Sequence, residues 1–303
     1  MMKHFLLRSA IFLLFLLVCA AALELFVRSL PNSYKLKNEW MENNSNSVEC
    51  IVLGNSHALF SFRPDSMGNN IFNLANVSQT LDYDCELLKH YAPRCRNLKS
   101  VILTVDNSNL FDASLDEMGP HRAAFYKIYM GIDRHSVFSR YGLELMNAAT
   151  VQAKLQKHFS GNDLEVDSLG WGFTYKDNLR DNENLSIEQV KSRIEGHTCT
   201  NWSNAMSNQK SVMAIARYCK ENGIRLVLIE TPTSRAYNRL IPKRQLDFIS
   251  QTLSLCKKKY GAITLDLHDD ERFGDNDFFD ADHITDLAAT RLSRIAASVL
   301  ADK

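Results

Sequence analysis

The segment ECIVLGNSHALF, residues 49–60, decides the fold expected for this chain. Its apolar run, Cys50–Leu53, is too short for a buried helix of normal length and is typical of a buried β-strand. Gly54 and Asn55 end the run, and a helix is expected to begin near Ser56. The segment therefore predicts a strand that passes through a tight turn directly into a helix.

Four further apolar runs repeat this pattern, and segments with helical periodicity separate them. The runs are Ile71–Ala75, Val101–Val105, Arg225–Ile229 and Ala262–Leu265, and the helical segments are 81–91, 208–222, 245–260 and 286–300. Continuous apolar strands are what a parallel sheet covered on both faces requires. Strands that alternate with helices favour one α/β domain over residues 49–303, a three-layer, doubly wound, flavodoxin-like sheet of about five parallel strands.

Residues 111–207 fit this alternation least. They separate the third and fourth strands by far more chain than one crossover needs. We predict a largely helical insertion near the mouth of the active site.

The first 28 residues are expected to be a membrane segment. Lys3, His4 and Arg8 precede a long apolar run, and the stretch from Phe5 to Val27 is long enough to cross a bilayer. The positive flank favours an N-terminus inside the cell and a domain in the periplasm or extracellular space. A cleaved signal peptide is the alternative, because residues 20–22 are all alanine. Residues 29–48 are polar and are expected to form a tether.

Composition excludes some classes of function. Lys and Arg number 35, as do Asp and Glu, so the chain has no basic excess that favours nucleic acid. None of the seven cysteines shows metal or redox spacing, and no metal or other cofactor is predicted. In an oxidising compartment, Cys85 and Cys95 are near enough in sequence to form a local disulfide.

Three residues at the two ends of the domain predict nucleophilic catalysis. Ser56 follows the first strand, and Asp280 and His283 follow the fifth, so all three are expected at one edge of the sheet. A histidine can take the proton of a serine hydroxyl, and an aspartate can hold that imidazole in the required tautomer. The alternatives are a helix cap for Ser56 and a solvated acidic loop around Asp280.

The pair GNSH at 54–57 and DADH at 280–283 resembles blocks I and V of the SGNH (GDSL-type) hydrolases. The resemblance covers about residues 49–302, with the central insertion unmatched. It implies that Ser56 is the nucleophile and that Asp280 and His283 complete the triad. The N-terminal segment also resembles membrane-anchored members, such as alginate O-acetyltransferase-like proteins and the D-alanyl transfer protein of teichoic acid synthesis. Those members imply a carbohydrate or glycoconjugate substrate, an O-acetyl group and a membrane-bound acyltransferase partner.

Two other family blocks are poorly matched. The family's block II glycine, whose N–H completes the oxyanion hole, has no counterpart in residues 73–79, and block III is reduced to the polar run 106–109. The oxyanion candidates are therefore the backbone N–H groups of Ser56 and Ser78 and the side chain of Asn107, with Asn109 as an alternative to Asn107. Candidates for the substrate pocket are Asn55, His57 and Thr231.

Two functions from different classes remain open on the sequence. The first is an exported serine esterase or O-acyltransferase that acts on cell-surface polysaccharide through a Ser-bound acyl intermediate. The second is an inactive SGNH-like protein that binds glycan or acts as a scaffold in a surface-modification complex. A flavodoxin-like binding module ranks last, because it leaves the Asp-x-x-His loop unexplained.

Overall fold

A computed structural model describes residues 2–134 and 142–301. Five parallel strands form one sheet in the order β2-β1-β3-β4-β5. The strands are β1 (Cys50–Leu53), β2 (Ile71–Asn73), β3 (Ser100–Thr104), β4 (Arg225–Glu230) and β5 (Ile263–Asp266). They match the five predicted runs closely, and the doubly wound α/β fold is confirmed.

Helices cover both faces of the sheet. One face carries α3 (Ser56–Ser61) and α12 (Asp286–Ala301), and the other carries α4 (Leu81–Tyr91), α9 (Trp202–Glu221) and α11 (Lys243–Tyr260). Side chains alternate along each strand, so that Val52 packs under α3 while Ile51 and Leu53 pack on the opposite side. The connection from β1 to β2 therefore runs over one face of the sheet, and the three later connections run over the other face. Because the connections diverge there, a crevice opens between the carboxyl ends of β1 and β3.

The insertion between β3 and β4 is largely helical, as predicted. It contains α5 (Leu115–Met118), α6 (Pro120–Met130), α7 (Ala148–Phe159) and α8 (Ile187–His197). The helix α9 also begins inside the predicted insertion, residues 111–207. The segment around Trp171 packs directly on the domain: the indole Nε1 donates to the carbonyl of Phe60 at 2.9 Å. Gly170 is required there, because a Cβ atom would lie 2.1 Å from the carbonyl oxygen of Asn73.

The N-terminal helix α1 (Met2–Ser29) is long and apolar enough to cross a membrane. An N-terminal signal sequence can meet the same criteria of length and apolar composition.

The polar segment 29–48 differs from the expected tether, because it forms the helix α2 (Ser33–Asn44) packed on the domain. Asn32 caps α2 by accepting a hydrogen bond from the N–H of Lys35. The ring of Trp40 stacks on Phe72 with centroids 3.9 Å apart, and the ammonium of the fully buried Lys37 donates to a carbonyl after β2. Tertiary contacts on one face of α2 therefore order a segment whose composition is polar.

The cysteines of the domain are free in the structure. Cys50, Cys219 and Cys256 are buried among core residues, in agreement with their apolar surroundings in the sequence. Cys85 and Cys95 are also buried and are not joined to each other.

Candidate active site at the carboxyl edge of the sheet

Ser56 is the first residue of α3 and follows the turn that ends β1. Gly54 in this turn has a φ of +132°, and a Cβ atom there would lie 2.1 Å from Thr104 Oγ1. Only glycine fits such a conformation and such a close approach. Asn55 caps the helix, since its side-chain oxygen accepts the N–H of His57. The half-buried Ser56 is thereby presented at the edge of the sheet.

His283 joins Ser56 to Asp280. Its Nε2 lies 2.9 Å from Ser56 Oγ, although 227 positions separate the two residues. Its Nδ1 lies 2.9 Å and 3.1 Å from the two carboxylate oxygens of Asp280. A nitrogen that faces a carboxylate carries the hydrogen, so Nε2 is the atom that can exchange a proton with Ser56. The three residues named from the sequence are thus within hydrogen-bonding distance in the expected order.

A second carboxylate, Asp282, lies behind the first. Its Oδ1 is 3.3 Å from His283 Nδ1 and 3.0 Å from Nε of Arg193. Asp282 is buried, whereas the side chain of Arg193 on α8 is 42% exposed. The insertion therefore contributes a cation to the loop that holds the imidazole.

His57 lies between two buried carboxylates. Its Nδ1 is 2.9 Å from Asp106 Oδ2, and its Nε2 is 3.2 Å from Asp282 Oδ2. Thr231 donates its hydroxyl to the same Asp106 oxygen at 2.8 Å. Ser108 donates to the other oxygen, and Asn55 in turn donates to Ser108 Oγ at 2.8 Å. These contacts link the ends of β1, β3 and β4 and the final loop into one polar network.

Charge in this network raises the pKa of both imidazoles. Burial lowers the pKa of His57, but Asp106 and Asp282 outweigh burial and raise it to about 9. For His283, burial is likewise outweighed, here by Asp280 and Asp282, and the pKa rises to about 10. The two histidines hold the pKa of the buried Asp282 carboxyl well below its usual range, although burial acts in the opposite direction.

The oxyanion candidates differ in their freedom to donate. Among the described residues, the backbone N–H groups of Ser56 and Ser78 have no acceptor. Ser78 has a φ of +58°, the left-handed conformation that glycine adopts most easily. In contrast, the side-chain amide of Asn107 donates to the hydroxyl of Tyr237 at 3.0 Å, and Asn109 donates to the carbonyl of Thr104 at 2.9 Å. Both asparagine side chains are committed to internal bonds.

The three pocket candidates lie deeper than expected. Asn55, His57 and Thr231 are each buried, and each is hydrogen-bonded within the network. The sequence suggested that these residues line a substrate pocket, but their side chains point into the polar interior between the strand ends. In this structure they brace the site from behind.

Aromatic side chains flank the imidazole instead. Tyr175 of the insertion stacks between Phe60 and Phe279, with ring centroids 4.0 Å and 4.5 Å away. The ring of His283 meets Phe60 and Tyr175 edge-on, at 5.9 Å and 5.0 Å. This stack limits the movement of the imidazole and gives the site one apolar wall.

A groove with a volume of about 550 Å³ lies beside α3. Its walls are residues 31–34 after α1, Leu59 and Phe60 of α3, Val77 after β2, and α7. Phe60 is four positions after Ser56 and its ring contacts His283, so the α3–α7 groove shares one wall residue with the surroundings of the imidazole.

Within residues 2–134 and 142–301, two groups of side chains have the donor atoms of a metal site. One is His57, Asp282 and His283, which the network already uses. The other is Glu230, Asp266 and His268, at the ends of β4 and β5. Burial raises the pKa of Glu230 to about 8, against the attraction of His268, while His268 Nδ1 lies 2.8 Å from Asp266 Oδ1.

Sequence reasoning missed four residues that organise the site: Asp84, Asp106, Tyr175 and Arg193. Asp106 follows β3 at the same edge of the sheet, and this position was a usable signal. Asp84 on α4 accepts a hydrogen bond from the N–H of Gly54 at 2.8 Å, and no local sequence pattern predicts this contact. Tyr175 and Arg193 belong to the insertion, whose path over the domain is set by tertiary packing.

Comparison with models of known protein families produced no match, and comparison with curated protein sequences produced none. Fold and geometry alone define the class of site. It is a five-stranded parallel α/β domain with a Ser–His–Asp arrangement at the carboxyl edge of its sheet.

Proposed function

We propose that this protein is a membrane-anchored, extracytoplasmic serine esterase or O-acyltransferase of the SGNH type. The observation that carries the proposal is the contact of His283 Nε2 with Ser56 Oγ at 2.9 Å, with Asp280 on the opposite nitrogen. Three such groups in this order are the requirement for activating a serine hydroxyl. The resemblance of residues 54–57 and 280–283 to the two SGNH blocks supports the same assignment.

In the first half of the reaction, Ser56 Oγ attacks the carbonyl carbon of an ester while its proton passes to His283 Nε2. Asp280 stabilises the imidazolium through Nδ1–H. The negative oxygen of the tetrahedral intermediate is stabilised by the backbone N–H of Ser56, with Ser78 N–H as the second candidate donor. When the intermediate collapses, His283 returns the proton to the leaving alcohol oxygen, and Ser56 keeps the acyl group.

In the second half, a water molecule or a sugar hydroxyl attacks the acyl-Ser56 carbonyl carbon. His283 takes the proton of the attacking hydroxyl and then gives it to Ser56 Oγ as the ester bond to the enzyme breaks. The product is a free acid in the first case and a new ester in the second. Both outcomes restore the starting enzyme.

The substrate class that we propose is an O-acetylated polysaccharide or glycoconjugate at the cell surface. The apolar helix α1 supports anchoring at a membrane. The resemblance to membrane-anchored SGNH proteins supports the glycan part of this proposal. In a transferase, a membrane-bound acyltransferase would supply the acyl donor.

Covalent labelling by a fluorophosphonate probe tests the nucleophile. The wild-type chain is expected to be labelled, and Ser56→Ala is expected to lose labelling completely. Ser47→Ala, which changes an exposed serine just before β1, is the matched control and should be labelled like wild type. Equal labelling of wild type and Ser56→Ala would remove Ser56 as the nucleophile.

A second function, glycan binding without turnover, is favoured by the state of Asn107 and Asn109. Both side chains are buried and each already donates one internal hydrogen bond, which does not favour a side-chain oxyanion donor after β3. Loss of one such donor costs about 3 kcal/mol of transition-state stabilisation. Binding of an acetylated glycan, together with no probe labelling and no hydrolysis of a generic acetyl ester, would establish this function instead.

A further inference from the structure

The last turns of α1 are held by the insertion. The carboxylate of Glu24 accepts the backbone N–H groups of Glu144 and Leu145, each at 3.0 Å. Arg28 donates to Glu24 at 2.6 Å and also to the carbonyl of Gly142. Although Glu24 lies in an apolar helix, it is only 8% exposed and fully engaged. The membrane helix and the domain are therefore joined at a fixed angle.

The length of α1 relates these contacts to a bilayer. From Phe5 to Leu23 the helix rises about 28 Å, close to the hydrocarbon thickness of about 30 Å. A bilayer that spans these residues would leave Glu24 and its polar partners just outside the hydrocarbon, where a carboxylate is tolerated. The same placement would put Leu23 at the boundary between acyl chains and headgroups.

A groove with a volume of about 660 Å³ opens at this level, between Leu23 of α1 and the helix α7. Its α7 wall includes Val151, Leu155 and Phe159, which follow one face of the helix. Exposure increases along this face, from 7% at Val151 to 80% at Phe159. Leu23, Leu155 and Phe159 line the same groove, so they form a contiguous apolar patch, which is typical of an interaction surface.

We propose that α7 lies in the surface of the bilayer, with lipid acyl chains in the groove between Leu23 and Phe159. The occupant is lipid because the groove continues the lipid-facing surface of α1: Leu23 belongs both to the apolar helix and to the groove wall. Leu143 and Met146, in the segment just before α7, add exposed apolar side chains. An apolar helix face beside a membrane span is the form of an interfacial helix.

The proposal has a consequence for substrate access, which rests on the function proposed above. The other side of α7, through Ala153 and Lys157, forms a wall of the α3–α7 groove, which Phe60 also lines. A bilayer at α7 would therefore place Ser56 within reach of a glycan attached to a membrane lipid. A soluble oligosaccharide would have to approach the same groove along the membrane surface.

Tryptophan fluorescence in bilayers tests the position of α7. The full-length variant Phe159→Trp is reconstituted in phosphatidylcholine nanodiscs with and without brominated acyl chains, which quench tryptophans that contact them. Brominated lipid is expected to reduce the emission added by Trp at position 159 about twofold, as for a side chain buried among acyl chains. The parent protein supplies the background from Trp40, Trp171 and Trp202.

The matched control is Leu287→Trp. Leu287 is 62% exposed on α12, which lines neither groove, and its added emission should not change with brominated lipid. Absence of quenching at position 159, including the case in which a second copy of the chain covers the groove, would overturn the proposal. Because the measurement needs no turnover, its failure is distinct from loss of probe labelling.

Discussion

The surroundings of His283 and His57 differ, although their rings lie only 4.9 Å apart. His283 presents Nε2 to the hydroxyl of the half-buried Ser56, whereas both nitrogens of His57 face buried carboxylates. The charge of the neighbouring groups does not distinguish the two histidines, because carboxylates raise the pKa of each imidazole. The two histidines differ in the atom that faces Nε2, which is the hydroxyl oxygen of Ser56 for His283 and a carboxylate oxygen of Asp282 for His57.

This difference assigns two roles within the proposed mechanism. His283 is the general base, because it alone contacts the nucleophile. His57 is a positioning residue: as a cation between Asp106 and Asp282, it balances negative charge behind the triad and holds three strand ends together. Variants of Asp280 and Asp282, and of His57 itself, test this assignment of roles.

The largest effect is expected from Asp280→Asn. This change keeps the shape of the side chain but removes the acceptor that holds His283 Nδ1–H, so ester turnover should fall about 10³-fold or more. Asp282→Asn is the matched control, because Asp282 lies farther from Nδ1, and it should cost less turnover. A larger loss for Asp282→Asn would mean that Asp282, not Asp280, completes the triad.

The next effect is on stability and follows from the raised pKa of His57. The folded pKa of about 9 lies above the unfolded value near 6.5, so the folded protein holds an extra proton between these pH values. The stabilisation is complete below pH 6.5 and is lost as pH rises through 9, by on the order of 3 kcal/mol. Urea unfolding of the full chain in detergent at several pH values measures it.

His57→Gln is the variant for that measurement. Between pH 6.5 and 9, its free energy of unfolding should fall less steeply than that of wild type, and the slope that remains arises from His283 and from other groups with a raised pKa, such as Glu230. Equal slopes for wild type and His57→Gln would mean that His57 is not a buried cation.

The smallest effect is a shift in the pH dependence of catalysis in the same His57→Gln variant. Loss of the nearby cation raises the pKa of His283 further, so the unprotonated fraction at neutral pH and the labelling rate of Ser56 should fall about tenfold. Raising the pH should restore the rate, because the base is then unprotonated in both proteins. An equal loss at every pH would indicate general damage to the site and no electrostatic role.

Much of the fold could be predicted because its signals are local. Continuous apolar runs such as Cys50–Leu53 identify strands wherever they pack, and their alternation with helices leaves few topologies. The triad candidates could also be predicted, because Ser56 and His283 each follow a strand and parallel strands end at one edge of the sheet. The segment 33–44 was not, because its helix depends on contacts of Tyr34, Lys37 and Trp40 with distant residues.

The α/β class, the five strands, the insertion, the apolar helix and the three residues at the sheet edge could all be derived from local sequence patterns. The direction of each polar side chain depends on tertiary packing. It turned Asn55, His57 and Thr231 inward, committed Asn107 to Tyr237, and brought Arg193 and Tyr175 from the insertion to the triad. It also joined Glu24 to residues 144 and 145. The physical reason is that apolar periodicity follows from neighbours along the chain, whereas the partner of a buried polar group depends on packing between segments far apart in sequence.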